Sequence, residues 1–300
     1  MIHELSILIP TRNDVCLPQV KTLQHLASEI EGLRYEILVS DDASDDPEAI
    51  RQNAQINEIE HCRLLLRQEN KGRAANRNYL AETAQFEWLL FLDCNVKIPT
   101  ECFLLDYLET DHADVVNGGI VAESDKTLSR HNLRYMYEKK IEPKHSASQR
   151  KSKPYQSFRT SNFMVRREVM LRYPLDETVP GYGYEDVLFG KALCEHVIPI
   201  DHIDNPVVMT HFETNEAYIS KVEEAMHTLH ALRNELTGYS PLLSAVESLQ
   251  KRHLIPLYKQ FYHTNARRIR NNLTGKKPSL RWLNMYKLGY FLSIEDSAHA

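Results

Sequence analysis

Acidic side chains cluster at three points of the sequence. Asp41 and Asp42 end one apolar run, Asp93 ends another, and Glu185 and Asp186 follow a turn rich in glycine and tyrosine. Carboxylate oxygens ligate hard divalent cations, and a carboxylate can also accept a proton from a hydroxyl group. The clusters therefore indicate metal binding or general base catalysis, whereas for any one of them alone a helix cap or a solvated turn is an equal alternative.

These residues need a scaffold that brings strand ends together. Apolar runs closed by turn signals predict buried strands, and the stretches between them have the apolar spacing of helices. The alternation predicts right-handed βαβ units, an α/β fold, and a ligand site beyond the carboxyl ends of the strands. The predicted strands are 5–10, 35–40, 63–66, 87–93, 114–121, 197–200 and 206–210, and the predicted helices are 17–31, 47–56, 72–85 and 215–236, with another starting at Glu185.

The segment from 123 to 156 is polar and basic and has few apolar residues to anchor it. Long segments of this kind inside a domain are commonly functional or disordered. We therefore predict a mobile loop in its second half.

Composition excludes several classes of protein. The 300 residues are 42% apolar and 26% charged, which is typical of a globular chain and unlike collagen, a disordered tail or a coiled coil. No run approaches the roughly 18 apolar residues of a membrane span, and the first residues do not read as a secretory signal, so we expect a cytoplasmic protein. Five scattered cysteines predict neither a disulfide framework nor a zinc site.

Six short motifs, in order along the chain, resemble those of the family 2 glycosyltransferases, which have the GT-A fold. The resemblance implies a Rossmann-like, mixed but mostly parallel central sheet flanked by helices over residues 1–213, with a helical extension over 214–300. It also implies transfer of a sugar from a nucleotide-sugar to an acceptor hydroxyl, with inversion at the anomeric carbon. The motifs are SILIPTRN at 6–13, DDAS at 41–44, NKG at 70–72 with ANRN at 75–78, DCN at 93–95, SNFMVRRE at 161–168 and GYGYED at 181–186.

The resemblance assigns a set of residues to the nucleotide-sugar donor. Pro10 and Thr11 are expected to line the nucleobase pocket. Asp42 is expected to accept a hydrogen bond from the base, most often uracil. A carboxylate can accept a hydrogen bond from a ring N–H and so discriminate among bases. The basic members are expected to contact the base or the phosphates. The predicted donor-binding residues are Pro10, Thr11, Asp42, Arg67, Lys71, Arg77 and Asp93.

The segment 93–95 matches the family's Asp-x-Asp motif, with one departure. Asn95 stands where the second acid is expected, and its amide oxygen can ligate a hard cation but adds no charge. His211 lies about where many family members have a metal-binding histidine, although an isolated histidine is more often a surface or core residue. The resemblance therefore predicts Mn²⁺ or Mg²⁺ bound by Asp93, Asn95 and His211.

Asp186 is the predicted general base, and Glu185 is expected to hold the acceptor or to orient its neighbour. The alternative for this pair is a helix N-terminus, where the dipole favours acids, and both can hold together. Gly181 and Gly183 are expected to form a hinge whose neighbouring tyrosines stack on a sugar ring.

The sequence thus predicts a metal-dependent inverting glycosyltransferase that uses a UDP-sugar in polysaccharide or glycolipid synthesis. One alternative is a nucleotide-binding, catalytically weak partner subunit that docks at a membrane or in a complex, which Asn95 favours. Another is a nucleotidyltransferase, which the lack of a glycine-rich basic loop after the first strand argues against.

The net charge of −5 is unevenly distributed. Ten Lys or Arg residues lie between Lys251 and Lys287, and no acid lies between Glu247 and Glu295; removing these ten charges leaves −15 on the rest. A nucleic-acid-binding protein usually concentrates positive charge in its main domain, so we expect no nucleic acid partner. The basic, aromatic tail predicts peripheral contact with the inner face of a membrane or with a lipid-linked acceptor. Alternatively, its aromatic residues pack on the sheet or on a second subunit of a homo-oligomer.

Overall fold

The computed structural model describes residues 1–109, 113–179 and 181–298. The chain forms two compact units. The first comprises Met1–Glu123, Lys144–Glu177 and Phe189–His211, and the second comprises Ser124–Pro143, Thr178–Leu188 and Phe212–Ala300. The boundary between residues 213 and 214 stays a prediction, and the second unit also takes two segments from earlier in the chain.

The first unit contains all the strands of the described residues, in two sheets. The strands are β1 (Glu4–Thr11), β2 (Arg34–Asp41), β3 (Cys62–Leu66), β4 (Trp88–Leu92), β5 (Val96–Lys97), β6 (Val115–Asn117), β7 (Ile120–Ala122), β8 (Asn162–Arg166), β9 (Ile200–His202) and β10 (Val207–Met209). The larger sheet has the order β3-β2-β1-β4-β8-β6-β9, and the smaller has the order β5-β10-β7. In the larger sheet only the pairings of β8 with β4 and β6 are antiparallel.

The helices, in chain order, alternate with these strands and then form the C-terminal region. They are α1 (Leu17–Ser28), α2 (Pro47–Asn53), α3 (Arg73–Thr83), α4 (Phe103–Leu108), α5 (Leu128–His131), α6 (Leu133–Ile141), α7 (Ala147–Lys151), α8 (Arg167–Arg172), α9 (Glu185–Glu195), α10 (Asn215–Ala231), α11 (Arg233–Leu236), α12 (Pro241–Lys251), α13 (Ile255–Leu273) and α14 (Leu280–Ala298). None of the described helices is long and apolar enough to cross a membrane.

The central strands are buried on both faces because helices cover both sides of the sheet. Side chains of a strand alternate between faces, and in β1 Ile7 joins the core formed with α1, whereas Leu8 joins the core formed with α3 and α8. Asp46 caps α2, since its Oδ1 accepts a hydrogen bond from the Ala49 N–H at 2.8 Å. The predicted α/β fold with a mostly parallel sheet is confirmed.

The strand predicted over 114–121 is two strands that belong to different sheets. β6 ends at Asn117 and β7 begins at Ile120, and the chain changes sheet through Gly118 and Gly119. Gly119 has a φ of +87°, and a Cβ there would lie 2.4 Å from the Arg150 guanidinium. A Cβ at Gly118 would lie 2.2 Å from the Tyr107 hydroxyl, so a side chain would clash at either position.

The prediction of a mobile loop in the second half of residues 123–156 was wrong. That segment contains part of α6, a 3₁₀ turn at Glu142–Lys144, and α7. The anchor is not an apolar residue but Arg150, which is 4% exposed. Its guanidinium donates to the carbonyl oxygens of His145, Asn117, Gly118 and Ile203.

Arg150 also fixes the tautomer of the fully buried His202. Arg150 Nε donates to His202 Nδ1 at 3.1 Å, so the ring proton lies on Nε2, which donates to the Pro154 carbonyl at 3.0 Å. Burial lowers the pKa of His202 to about 4, against 6.5 for a free imidazole. The folded chain therefore holds this imidazole neutral.

This predicts a specific loss of stability in mild acid. The unfolded chain binds a proton at His202 below about pH 6.5 and the folded chain only below about pH 4, so the free energy of unfolding falls as the pH drops through this window. Between pH 7 and pH 4.5 the wild type is expected to lose about 2 kcal/mol more than His202→Gln. Urea unfolding at both pH values measures this, with the exposed His25→Gln as the control. Equal acid sensitivity of the wild type and His202→Gln would contradict the assignment.

The second unit is helical, with a core of its own. Three aromatic residues of the basic tail are buried in two clusters. Tyr262 and Tyr286 pack with α10 and with Leu133 of α6 in one cluster, and Phe291 packs with α10 in the other. These aromatic side chains therefore pack inside the helical unit rather than on the sheet.

Candidate functional site

The register of the larger sheet aligns the ends of its first strands. Thr11 of β1 pairs with Asp41 of β2, and Asp41 pairs with Leu66 of β3. Because these strands are parallel, residues just beyond them leave the sheet at one edge. Asp42, Arg67 and the segment after β4 are thereby brought to the same edge, as the sequence predicts.

Asp42 organises the loop that leads into α3. Its buried carboxylate accepts the backbone N–H groups of Lys71 at 3.0 Å and Gly72 at 2.8 Å, and Arg67 Nε lies 3.7 Å from Oδ1. Gly72 has a φ of +91°, a conformation that glycine adopts without strain. A carboxylate has about four acceptor positions, so Asp42 keeps capacity for a ligand donor after these contacts.

Arg67 and Arg77 place guanidinium groups in this region. Arg67 lies over the Tyr79 ring at 5.2 Å, and Arg77 Nη2 donates to Asp93 Oδ1 at 2.6 Å. Within the described residues, buried Nη1 of Arg67 and Nε of Arg77 have no hydrogen-bond partner. An unsatisfied buried donor costs about 1–3 kcal/mol, so both atoms favour an anionic or oxygen-rich ligand at this edge.

The other predicted donor-binding residues differ in position. Thr11 is buried, with its hydroxyl 3.2 Å from the Asp14 carbonyl, and Pro10 is half-buried beside it. Lys71 is more than half exposed and pairs with Glu69, so its backbone rather than its side chain joins the Asp42 network.

The segment 93–95 is fixed through its backbone. The Asp93 N–H donates to the Ser161 carbonyl, and the Asp93 carbonyl accepts from Gln19 Nε2, both at 3.0 Å. A hydrogen bond with Cys16 and burial raise the pKa of the Cys94 thiol well above its usual range, so Cys94 stays protonated. The side chains that remain for a cation in this segment are Asp93 and Asn95.

The smaller sheet brings His211 towards this segment. Antiparallel β5 and β10 pair Val96 with Met209, so Asn95 and His211 leave the ladder at the same end. Both side chains are exposed. No group of three or more His, Cys, Asp or Glu side chains suited to a metal occurs among the described residues. The predicted metal ligands include only two residues of these types, Asp93 and His211, and the third is the amide of Asn95. One carboxylate, one amide and one imidazole fit a divalent cation that takes its other ligands from water and phosphate.

Glu185 and Asp186 begin α9, as predicted, and both belong to the second unit rather than to the unit of the sheets. The turn before them has left-handed backbone at Gly181, Gly183 and Tyr184, with φ values of +85°, +91° and +71°. Glu185 is buried and Asp186 is half-buried, and Asp186 Oδ1 accepts the Val187 N–H at 2.8 Å. The sharp turn thus places two acids in the first turn of a helix, where its dipole stabilises them.

Aromatic rings accompany this turn within the second unit. Lys221 Nζ lies 5.8 Å from the centre of the Tyr182 ring, and Lys287 Nζ lies 4.6 Å from that of Tyr137. Burial, then the nearby Tyr137 and Asp186, raises the pKa of Tyr184, so its hydroxyl keeps its proton at neutral pH. The turn therefore lies among aromatic rings and cations of the second unit.

Two polar residues of the site have no role predicted from the sequence. Gln19 holds the Asp93 carbonyl, and Asn76 is bound to Ser40 through both ends of its amide at 2.6 and 2.9 Å. Gln19 is a polar residue buried on an otherwise apolar face of α1, and that mismatch with the apolar pattern is its sequence signal. Asn76 is buried on α3 beside Arg77 and Asn78, and its sequence signal is the motif at 75–78.

Three solved structures are similar to the whole or most of the chain. A mannosyltransferase of Pyrobaculum calidifontis, solved with GDP-Man and Mn²⁺, has a TM-score of 0.56 and 15% identity, covering 98% of this chain and 86% of that one. TarS residues 1–349 of S. aureus has a TM-score of 0.50 and 14% identity, covering 99% and 91%. Glucosyl-3-phosphoglycerate synthase of Mycobacterium tuberculosis, solved with Mn²⁺, UDP and glucosyl-3-phosphoglycerate, has a TM-score of 0.50 and 13% identity, covering 76% and 79%. At these identities the likeness shows a shared fold, GT-A.

No curated protein sequence matches the chain. The family model described as glycosyl transferase family 2 matches residues 6–173, which is more than half of the chain. This stretch runs from β1 through the strand ends that carry Asp42 and Asp93 to α8. The chain belongs to glycosyl transferase family 2.

Proposed function

We propose that this protein transfers a glycosyl group from a UDP-sugar to an acceptor hydroxyl, with inversion at the anomeric carbon. The observation that carries the proposal is the edge of the larger sheet where Asp42, Arg67, Arg77 and Asp93 meet and two buried guanidinium nitrogens lack partners among the described residues. A nucleotide diphosphate supplies the oxygens that these donors need.

In this proposal the donor-binding residues divide the ligand between them. Pro10, Thr11 and Asp42 take the base, and the guanidinium groups of Arg67 and Arg77 face the phosphates. Support comes from the register that places the ends of β1 and β2 side by side. Lys71 contributes its backbone to the loop, and its exposed ammonium would exchange Glu69 for the phosphates.

The transfer is a single in-line displacement. The acceptor oxygen forms a bond to the anomeric carbon while the bond from that carbon to the diphosphate oxygen breaks, and UDP leaves with the electron pair. Asp186 accepts the proton of the acceptor hydroxyl, and Glu185 positions the acceptor. Arg67 and Arg77 stabilise the charge that grows on the leaving phosphate.

Asp93, Asn95 and His211 would hold Mn²⁺ or Mg²⁺, which supplies Lewis-acid stabilisation of the diphosphate. His211→Ala is expected to weaken the coupled binding of Mn²⁺ and UDP by roughly tenfold or more, because the site has few protein ligands. Calorimetric titration of Mn²⁺ with and without UDP measures this, with the exposed His25→Ala on α1 as the matched control. Unchanged coupling in His211→Ala would remove this residue from the site.

Release of UDP from a panel of nucleotide-sugars, with and without saccharide or lipid-linked acceptors, tests the function as a whole. Binding of nucleotide-sugars first shows as a rise in melting temperature, because a ligand of the folded state stabilises it. The panel should include GDP-sugars, since one structural neighbour was solved with GDP-Man. Binding without release of UDP under any condition would favour a catalytically weak partner subunit instead. A cytoplasmic location and a role in polysaccharide or glycolipid synthesis stay predictions.

A further inference from the structure

Helix α13 exposes an apolar stripe. Leu257 is 65% exposed and Phe261 is 40% exposed, and Leu254, the N-cap residue of the helix, is 37% exposed. Positions 254, 257 and 261 lie on one helix face, because residues three and four apart are neighbours on a helix surface. A different face of the helix, with Tyr262, Ile269 and Leu273, is buried in the core of the second unit.

Cations flank this stripe at both ends. Lys251 and Arg252 precede it at the end of α12, and Arg267 and Arg268 follow it on the exposed side of α13. In the described part of the chain Lys251, Arg252 and Arg267 form no ion pair, whereas Arg270, on the packed side, binds Glu216 at 2.8 Å and Glu223 at 3.1 Å. Along the sequence no acid occurs between Glu247 and Glu295.

The combination selects one class of partner. A polyanion such as nucleic acid uses the cations but gains nothing from the exposed leucine side chains at 254 and 257. A second copy docked face to face would place cations against cations, which is repulsive. An anionic bilayer offers acyl chains to the apolar side chains and lipid headgroups to the cations, as for helices that lie in the membrane interface.

We propose that the exposed face of α13 docks on an anionic lipid surface, with Leu254, Leu257 and Phe261 at the level of the headgroups. The basic ends of the stripe contact the lipid phosphates and carboxylates. The docking is reversible, because three apolar side chains bury far less area than a spanning helix. The docking is separate from glycosyl transfer, and binding to vesicles is measured without an assay of transferase activity.

Flotation of the full chain with vesicles tests the apolar part. The wild type is expected to float with phosphatidylglycerol–phosphatidylcholine vesicles and to stay in solution with pure phosphatidylcholine. Leu257→Ser combined with Phe261→Ser is expected to weaken the partition coefficient at least tenfold, because each side chain loses its apolar burial. Val197→Ser, at a valine 80% exposed in the first unit, is the matched control and should bind as the wild type does. Circular dichroism confirms that each variant is folded.

A second pair of variants tests the charge. Lys251→Gln with Arg252→Gln is expected to weaken binding roughly fivefold per cation removed, and added salt should weaken wild-type binding further. The control is Lys21→Gln with Lys97→Gln, at exposed lysines of the first unit. Three results would each overturn the proposal. The serine variants could float as the wild type does, the protein could bind heparin or RNA but not vesicles, or it could self-associate in a way that the serine variants abolish.

Discussion

Asp186→Asn is expected to leave UDP binding intact and to lower the rate of sugar transfer about 10² to 10⁴-fold, the range typical for loss of a positioned general base. The amide keeps the shape of the carboxylate, and its oxygen can still accept the Val187 N–H that now binds Asp186 Oδ1. What it loses is the ability to take a proton from the acceptor hydroxyl. The fold should survive, because one charge in the first turn of α9 is worth only about 0.3–1 kcal/mol.

Two measurements make this result specific. Calorimetry with UDP reports donor binding, and release of UDP in the presence of acceptor reports transfer. The matched control is Glu247→Gln, which removes a carboxylate from an exposed position on α12 and should change neither quantity. If Asp186→Asn retained more than about a tenth of the wild-type rate, another group would be the base.

Arg150→Ala is expected to give the largest loss of stability of any single change considered for the first unit, at least about 3 kcal/mol in the free energy of unfolding. The guanidinium is buried and donates to four backbone carbonyls and to His202. Removing it leaves several buried acceptors without donors, each at a cost of about 1–3 kcal/mol. It also opens a space beside Gly119, where the chain changes sheet.

Urea unfolding, followed by circular dichroism, measures this loss. Lys151→Ala, at the adjacent residue, is the control. The Lys151 side chain is 57% exposed and its ammonium lies 3.3 Å from Asp201, a surface pair that contributes about 1 kcal/mol or less. Arg150→Lys should also be strongly destabilising, because one ammonium cannot reach the same set of acceptors. If Arg150→Ala were no more destabilising than Lys151→Ala, Arg150 would not be the anchor of the segment that contains α7.

Much of the fold follows from local pattern. The apolar runs that become β1, β2, β3 and β4, each followed by a turn, predict parallel strands, and Asp46 with Pro47 predicts the start of α2. The motif at 93–95 predicts the segment after β4 as a site. These features depend on neighbours within a few residues, which is why a single sequence is sufficient.

Other features depend on residues far apart in the chain. In the sequence Arg150 looks like part of a basic loop, because most of the carbonyl groups that accept its hydrogen bonds are remote. They lie 5, 32, 33 and 53 residues away along the chain. The use of Asp42 to fix the backbone at Lys71 and Gly72 is likewise invisible in the motif, since a carboxylate at a strand end fits a ligand equally well.

The sequence by itself determined the family, the first four strands of the larger sheet with the helices between them, and which acids, amides and imidazoles are candidates for chemistry. Only the tertiary structure decided that β5 and β10 bring Asn95 and His211 to one end of a small sheet, and that Tyr262 and Tyr286 are core while Phe261 is exposed. The physical reason is that composition and spacing fix the type of each side chain. Whether that side chain meets protein or solvent depends on register and on which helix face is covered, and these are set by contacts between distant segments.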